Sequence, residues 1–502
     1  MAVSSSVDNP KTIRSDSLLP VMGRIVVLTA LFSASAVYEA VHISSLSNGE
    51  MWWHLRAGFW ILQNHVVPRT GLFSQYPNLP WMASSWGYDL LLAAGYRLLG
   101  LRAIPLLLMA IKVTLAVVTF LLARTGRVGF WASVLLSAIA QYVMVNLPPL
   151  PSVISIGFLG IELCLLMRSR RSGSVRSLYW LPVLFVAWAN LDLQFVAGLV
   201  LLGLFVVAVA VEGALGKAGV PWIDDQIALL SMKQVGALAA CSFLATLANP
   251  YTIHLLPNVF RALYSDALFR YSAEMKSMSF RRPQEYVLML LVMAAFLAIG
   301  RRRAVRIFEL VALIAGTAIA FRIQRDAWMC VLPAVAVLAS GFHARESEVE
   351  DSGAVRLWKP AAVAVLATFV LAALRLPSQA ALMGRVSQTF PVKACDYIRD
   401  NHLPAPLFNE YSWGGFLTWY LPEYPVAIDD RVDLYGDEMV TRDFDVTEGK
   451  TRLEADSTAS AARTFVLRRQ SGMTKAFTNL PALSAQYHLV YSDDLAAVFV
   501  RR

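Results

Sequence analysis

Charge is what this chain has least of. Asp, Glu, Lys and Arg together make up 16% of its 502 residues, against about a quarter in an ordinary soluble domain. With 57% hydrophobic residues, that deficit excludes a wholly soluble protein. Cysteine is also scarce: Cys164, Cys241, Cys330 and Cys395 are too few and too scattered for a disulfide framework or a zinc-type pair. The sequence has no Gly-rich phosphate loop and no Ser-His-Asp arrangement. These absences disfavour nucleotide-powered transport and soluble hydrolase chemistry.

What is abundant is long apolar runs. They recur at 25–43, 103–123, 130–146, 152–167, 178–190, 194–212, 234–248, 286–300, 307–321, 327–342 and 359–374, many near the roughly 17–25 residues of a membrane span. The expected fold is therefore a polytopic α-helical membrane protein of about 11 spans, followed by a soluble α/β domain. The segment 1–24 reads as a cytoplasmic tail before an uncleaved signal anchor. Residues 25–375 form the membrane module, and 376–502 the soluble domain.

The net charge of +9 does not point to nucleic acid, because the basic residues sit in short loops between apolar runs, as the positive-inside rule requires. Arg124, Arg127, Arg168, Arg170, Arg171, Arg176 and Arg301–Arg303 mark cytoplasmic loops. The pattern is consistent only if 84–100, with Asp89 and Arg97 among leucines, lies on the membrane as an amphipathic helix. The tail is then cytoplasmic and the terminal domain outside. Loop 44–102, the turns around Trp188–Asp192 and Arg322–Asp326, and loop 249–285 all face outward too.

Within the spans, Lys112 and Glu162 would each cost roughly 2.5–3.5 kcal/mol if exposed to lipid at the bilayer centre. A mutual ion pair inside the bundle is the economical expectation. In the terminal domain, helical patterning at Lys393–Asn401 and Trp413–Tyr420 alternates with strands expected at Leu407–Asn409, Pro425–Asp429, Thr464–Arg468, His488–Tyr491 and Ala496–Val500. Ligands gather at the carboxyl ends of strands in open α/β sheets. Asn409 and Asp429 would occupy such ends.

The outer loop begins with Gly49-Glu50-Met51-Trp52-Trp53-His54. A carboxylate at Glu50 is ionised at neutral pH and can take a proton from a sugar hydroxyl; partial burial beside indoles would make it a stronger base. Trp52 and Trp53 suit interfacial anchors, and they also suit a sugar-stacking platform. His54 can bind phosphate, carry a proton or simply hydrogen-bond at the interface. Arg325, with Arg322, offers planar donors that match phosphate oxygens, though either can also snorkel to headgroups. Asp429, Arg431 and Asp433 alternate in sign and can bind a polar ligand or only one another.

The stretch Glu50 to Arg102 resembles the first outer loop of the C-type glycosyltransferase fold (GT-C): an acid after span one, a surface helix, Val67-Pro68, then a second surface helix over Ser85–Gly100. Trp188-Ala189-Asn190-Leu191, Asn249-Pro250-Tyr251, Glu274-Met275-Lys276-Ser277 and Arg325 are similar to segments of bacterial members. So are Phe408-Asn409-Glu410-Tyr411-Ser412-Trp413-Gly414-Gly415 and Ile428-Asp429-Asp430-Arg431-Val432-Asp433-Leu434-Tyr435.

The resemblance implies sugar transfer from a polyprenyl-phosphate carrier to a glycan or lipid acceptor, in a bacterial inner membrane, on the extracytoplasmic side. Glu50 would be the base, and Arg322 and Arg325 would hold the donor phosphate. His54, Trp52, Trp53, Asn409, Asp429 and Arg431 would shape the substrate cleft. Three departures stand out. No second acid adjoins Glu50, the turn Asn146–Pro151 lacks Arg-Pro, and Asp192 stands where His is frequent. The first departure puts metal binding in doubt, so no cofactor is expected, with a divalent cation left open. The rival readings are a polysaccharide or lipid transporter or polymerase, with Lys112 and Glu162 lining a path, and a non-catalytic scaffold.

Overall fold

The computed structural model describes residues 18–126, 128–223, 230–263, 265–341 and 349–502. The tail up to residue 17, Arg127 and the loop segments 224–229 and 342–348, on which the orientation partly rests, lie outside the described residues.

In chain order the helices are α1 (Leu18–His42), α2 (Glu50–Asn64), α3 (Trp86–Leu99), α4 (Ala103–Thr125), α5 (Phe130–Val143), α6 (Ser152–Ser172), α7 (Leu181–Leu191) and α8 (Phe195–Lys217). There follow α9 (Met232–Ala245), α10 (Leu255–Leu263), α11 (Asp266–Tyr271), α12 (Pro283–Gly300), α13 (Ile307–Arg322), α14 (Trp328–Gly341) and α15 (Val349–Leu374). Helices α1, α4–α9 and α12–α15 fall on the stretches read as spans. Length and composition alone qualify fewer of them. Among the described residues 5 helices are long and apolar enough to cross a membrane, or up to 6 if the pair Trp358–Leu374 and Gln379–Val386, bent by 78°, is one span. A 14-residue helix such as α5 or α9 rises only about 21 Å, short of a hydrocarbon core about 30 Å thick. The count expected from hydropathy thus exceeds what helix length supports.

The bundle packs around α14. Val331, Leu332, Val335 and Leu338 are all buried, and the helix is apolar on every face, which suits a central position. Several charges inside the bundle are paired, but not the two that were expected to meet. Lys112 Nζ lies 3.2 Å from Glu39 Oε2 on α1, and Arg170 Nη2 lies 2.6 Å from Glu212 Oε2. Glu162 has neither oxygen partnered among the described residues. Lys112 turns toward α1 because Glu39 and the Val145 carbonyl both offer it oxygens. The expected Lys112–Glu162 pair does not form, and a charged path through the two loses its basis.

Helix α3 is separated from α4 by Gly100, whose φ of 60° an L side chain adopts only at a cost. The break is bridged by Gln379, which accepts from Leu101 N–H at 2.9 Å and donates to the Leu99 carbonyl at 2.7 Å. Helix α3 packs on α2 at Gly58, where a Cβ would come within 2.0 Å of the Asp89 carbonyl oxygen. Only glycine allows this approach.

Beyond the bundle come α16 (Gln379–Val386), α17 (Val392–Asp400), α18 (Tyr411–Tyr420) and α19 (Val432–Thr447), with strands β1 (Leu407–Asn409), β2 (Thr464–Arg468), β3 (Tyr487–Ser492) and β4 (Ala496–Arg501). The strands form one sheet in the order β1-β2-β4-β3, with β1 parallel to β2 and the other pairs antiparallel. The strand expected at Pro425–Asp429 is absent. That segment makes an isolated parallel bridge from Val426 to Ser74, because its backbone partner is the loop between α2 and α3. The bridge ties the terminal domain to the loop that follows Glu50.

Candidate functional site

Glu50 is the first residue of α2. The helix starts where Asn48 Oδ1 accepts the Met51 N–H at 3.3 Å and Gly49 serves as N-cap. A Cβ on Gly49 would lie 2.8 Å from Asp430 Oδ2 and 2.9 Å from the Ser412 carbonyl. One on Gly415 would lie 2.5 Å from the Gly49 carbonyl. Helices α2 and α18 therefore meet backbone to backbone. This contact brings Asp430, remote in sequence, beside Glu50.

Around Glu50 stand Glu274 and Asp433, with Arg325 and His54 opposing them within electrostatic range. Burial first, then repulsion from Glu274, raises the Glu50 carboxyl to about 7, with His54 and Arg325 pulling the other way. Asp430 is pushed far up by burial and by Glu50, Asp429 and Glu274. Glu274 is raised by burial, against the attraction of Arg325. Asp433 reaches about 6, again chiefly through burial, with Arg431 opposing. So many acids in one desolvated place cannot all ionise at neutral pH.

Arg325 sits in the short turn between α13 and α14. Its Nε lies 3.2 Å from Asp326 Oδ1, which also accepts from Gln194 Nε2 at 2.9 Å. Burial works against its charge, but Asp326, Glu50 and Asp192 outweigh this and hold the guanidinium charged. Asp192, on the turn after α7, accepts from Ser155 Oγ at 2.5 Å, and Ser155 accepts from Trp188 Nε1 at 2.6 Å. The outcome is a fixed cation within electrostatic range of a carboxyl raised to about 7.

His54, one helical turn beyond Glu50, is buried. Its Nδ1 lies 2.6 Å from Asp89 Oδ1, and its ring stacks on Trp53 with centroids 3.6 Å apart. Trp53 in turn meets Trp81 edge-on at 5.8 Å. Trp52 is fully buried and stacks on Trp419 at 4.6 Å, with Phe416 and Phe390 edge-on. It is core, neither an interfacial anchor nor a sugar platform, because α18 covers this face of α2.

Asn409, Asp429 and Arg431 bond mainly within the protein, although Arg431 Nη1 is buried without a hydrogen-bond partner among the described residues. Asn409 donates to the carbonyls of Glu410 and Ile428 and accepts from Ala427 N–H. Asp429 accepts from Arg431 Nε at 2.8 Å, from Arg431 Nη2 at 2.6 Å and from Tyr435 Oη at 3.0 Å. Arg431 lies 4.7 Å over the Trp81 ring. Of the three, Arg431 reaches the loop, over the Trp81 ring, while the bonds of Asn409 and Asp429 stay within the terminal domain. Arg322 lies 5.5 Å over Phe269 on α11, a contact that Arg325 does not share.

Reading the sequence missed Asp89, Asp430 and Glu274 as members of this place. Asp89 alone carried a local signal: a buried acid in a leucine-rich helix needs a partner. A cavity of about 180 Å³ opens beside Glu50, bounded by Asn48, Phe390, Ser412, Asp430 and Arg468. Among the described residues no group of three or more His, Cys, Asp or Glu side chains is arranged to hold a metal ion.

No family model and no curated protein matches the sequence. Solved structures do. The oligosaccharyltransferase of Archaeoglobus fulgidus, tethered to an acceptor peptide containing the NVT sequon, aligns over 97% of this chain and 74% of its own with a TM-score of 0.55 and 11% identity. ArnT from Cupriavidus metallidurans, bound to undecaprenyl phosphate, aligns over 97% of this chain and 98% of its own with a TM-score of 0.48 and 13% identity. At such identities the likeness to the oligosaccharyltransferase is one of fold.

Proposed function

We propose that this chain, whose fold is that of the C-type glycosyltransferases, moves a sugar from a polyprenyl-phosphate carrier to an acceptor hydroxyl outside the cytoplasm of a bacterial inner membrane. One observation carries the reading. Glu50, a carboxyl raised to about 7, lies within electrostatic range of Arg325, a fixed cation, where the bundle meets the terminal domain.

Glu50 takes the proton from the acceptor hydroxyl as its oxygen attacks the anomeric carbon. The bond from that carbon to the carrier phosphate breaks, and its electron pair leaves with the phosphate. Arg325 binds the negative charge that develops there, through planar donors suited to phosphate oxygens. Glu50 then releases its proton to water. A base with a pKa near the working pH balances basicity against the fraction in the right protonation state. His54, held by Asp89, lowers the Glu50 pKa toward that balance. The acceptor-peptide complex of the oligosaccharyltransferase supports glycosyl transfer as the chemistry of this fold.

Mass spectrometry of envelope glycans and lipids from a deletion strain tests the reading. A saccharide missing from the deletion should return with the wild-type chain and stay missing with Glu50→Gln. Full restoration by Glu50→Gln would remove Glu50 as the base.

A further inference from the structure

The cavity beside Glu50 has a cationic wall that the transfer reading does not use. Arg468, the last residue of β2, is exposed on it. Its Nη2 donates to Ser412 Oγ at 2.8 Å, and its guanidinium carbon lies 5.2 Å over the buried Trp413 ring. Among the described residues its side chain bonds no carboxylate, so most of its donors remain available. Stacking on Trp413 fixes the plane of the guanidinium, which is the preorganisation that bidentate recognition of an oxyanion needs.

Three further features favour an anion in this cavity. The first turns of α2 and α18 both border it, and neither is capped by its N-cap side chain. Asn48 Oδ1 already takes the Met51 N–H of α2, and the first turn of α18 presents the positive end of its dipole. Asp430 Oδ2 is a buried atom in the wall with no hydrogen-bond partner among the described residues. Burial and neighbouring acids hold Asp430 toward its neutral form, in which a carboxyl can donate. The volume of about 180 Å³ is far above the roughly 10–15 Å³ that one water needs.

We infer that this cavity binds an anionic group of the acceptor, a phosphate monoester or a carboxylate, through Arg468, Ser412 and Asp430, and so presents the acceptor's hydroxyl to Glu50. The inference rests on the reading of Glu50 as the base and Arg325 as the donor-phosphate residue. It makes Arg468 a specificity-determining residue of the terminal domain and gives that domain a task in choosing the acceptor. Arg325 does not border the cavity, so the two guanidinium groups would serve different oxyanions.

Isothermal titration of inorganic phosphate into the full chain in nanodiscs tests this. Two binding sites are expected in the wild type. Arg468→Gln should lose one, with affinity there falling about tenfold or more, as expected for loss of a charge-assisted bidentate contact. Ser412→Ala should weaken the same site several-fold, and thermal melts check that both variants fold. Arg325→Gln should lose the other site only. If Arg325→Gln instead keeps the full stoichiometry while Arg468→Gln reduces it, the donor-phosphate reading fails and the anion cavity stands. In the Arg325→Gln background, glycerol 1-phosphate and glucuronate then separate the two ligand sources, and binding of either supports the inference. An unchanged isotherm from Arg468→Gln, or no binding of any of these anions, overturns it.

Discussion

His54 Nδ1 and Asp89 Oδ1 are 2.6 Å apart, and both residues are buried. They come from different helices, α2 and α3, whose close crossing at Gly58 makes the contact possible. The pair fixes the imidazole one turn from Glu50 and puts a basic group into the electrostatics of the candidate base.

The rate of sugar transfer should therefore rise with pH up to about 7, where Glu50 ionises, and flatten above it, because only the carboxylate accepts the hydroxyl proton. Glu50→Gln should lower turnover by roughly 10²–10⁴, leave donor binding nearly intact and abolish the acid limb. His54→Gln removes a group that lowers the Glu50 pKa, so its limb should move to higher pH. A pH–rate profile of each variant decides the matter: a limb that persists in Glu50→Gln belongs to another group.

Arg325→Lys keeps the charge but loses the planar fork, so donor affinity and turnover should both fall, by about tenfold or more. Arg322→Lys should do far less, since Arg322 is engaged with Phe269. Donor titration of the two variants side by side measures the difference. Equal losses would mean that Arg325 has no special position.

Gly49→Ala should damage the protein more than an alanine in a helix cap usually does. Its Cβ would press within 2.8 Å of Asp430 Oδ2 and 2.9 Å of the Ser412 carbonyl, where backbone cannot yield cheaply. The expected result is a lower melting temperature together with lost transfer. A variant as stable and active as the wild type would show that α2 and α18 can separate without consequence.

Asp443 on α19 is buried, and neither of its oxygens has a partner among the described residues. Burial, with Asp456 and Glu410 nearby, raises its pKa well above the ordinary value. The folded chain thus holds this proton to higher pH than the unfolded chain does. The associated stability is complete below the unfolded pKa of about 3.9 and declines as pH rises toward the folded value. Asp443→Asn should be more stable than the wild type at neutral pH, by about 1–3 kcal/mol, with the gap closing in acid. Chemical denaturation at several pH values would reveal a gap that fails to close, and with it a charged role for Asp443.

Orientation is open to a direct test. A reporter active only outside the cytoplasm should work when fused after Arg502 and stay silent when inserted between Arg168 and Arg176. The opposite pattern would place Glu50 and the terminal domain in the cytoplasm and rule out the proposed reaction there.

The sequence by itself determined where the apolar helices lie, because hydropathy is a local property and each run carries its own signal. It also determined most of the sheet: β2 spans the expected Thr464–Arg468, and β3 and β4 each extend the expected strand by a residue or two. Glu50 and Arg325 stood out as chemistry at helix ends, again a local reading. Tertiary structure alone decided which charges meet. Lys112 faces Glu39 instead of Glu162, Asp429 spends itself on Arg431, and Asp430 and Glu274 converge on Glu50. Such pairings depend on how distant helices cross and on glycines that let backbones touch. A buried charge takes whichever partner the packing offers, and no spacing along the chain encodes that choice.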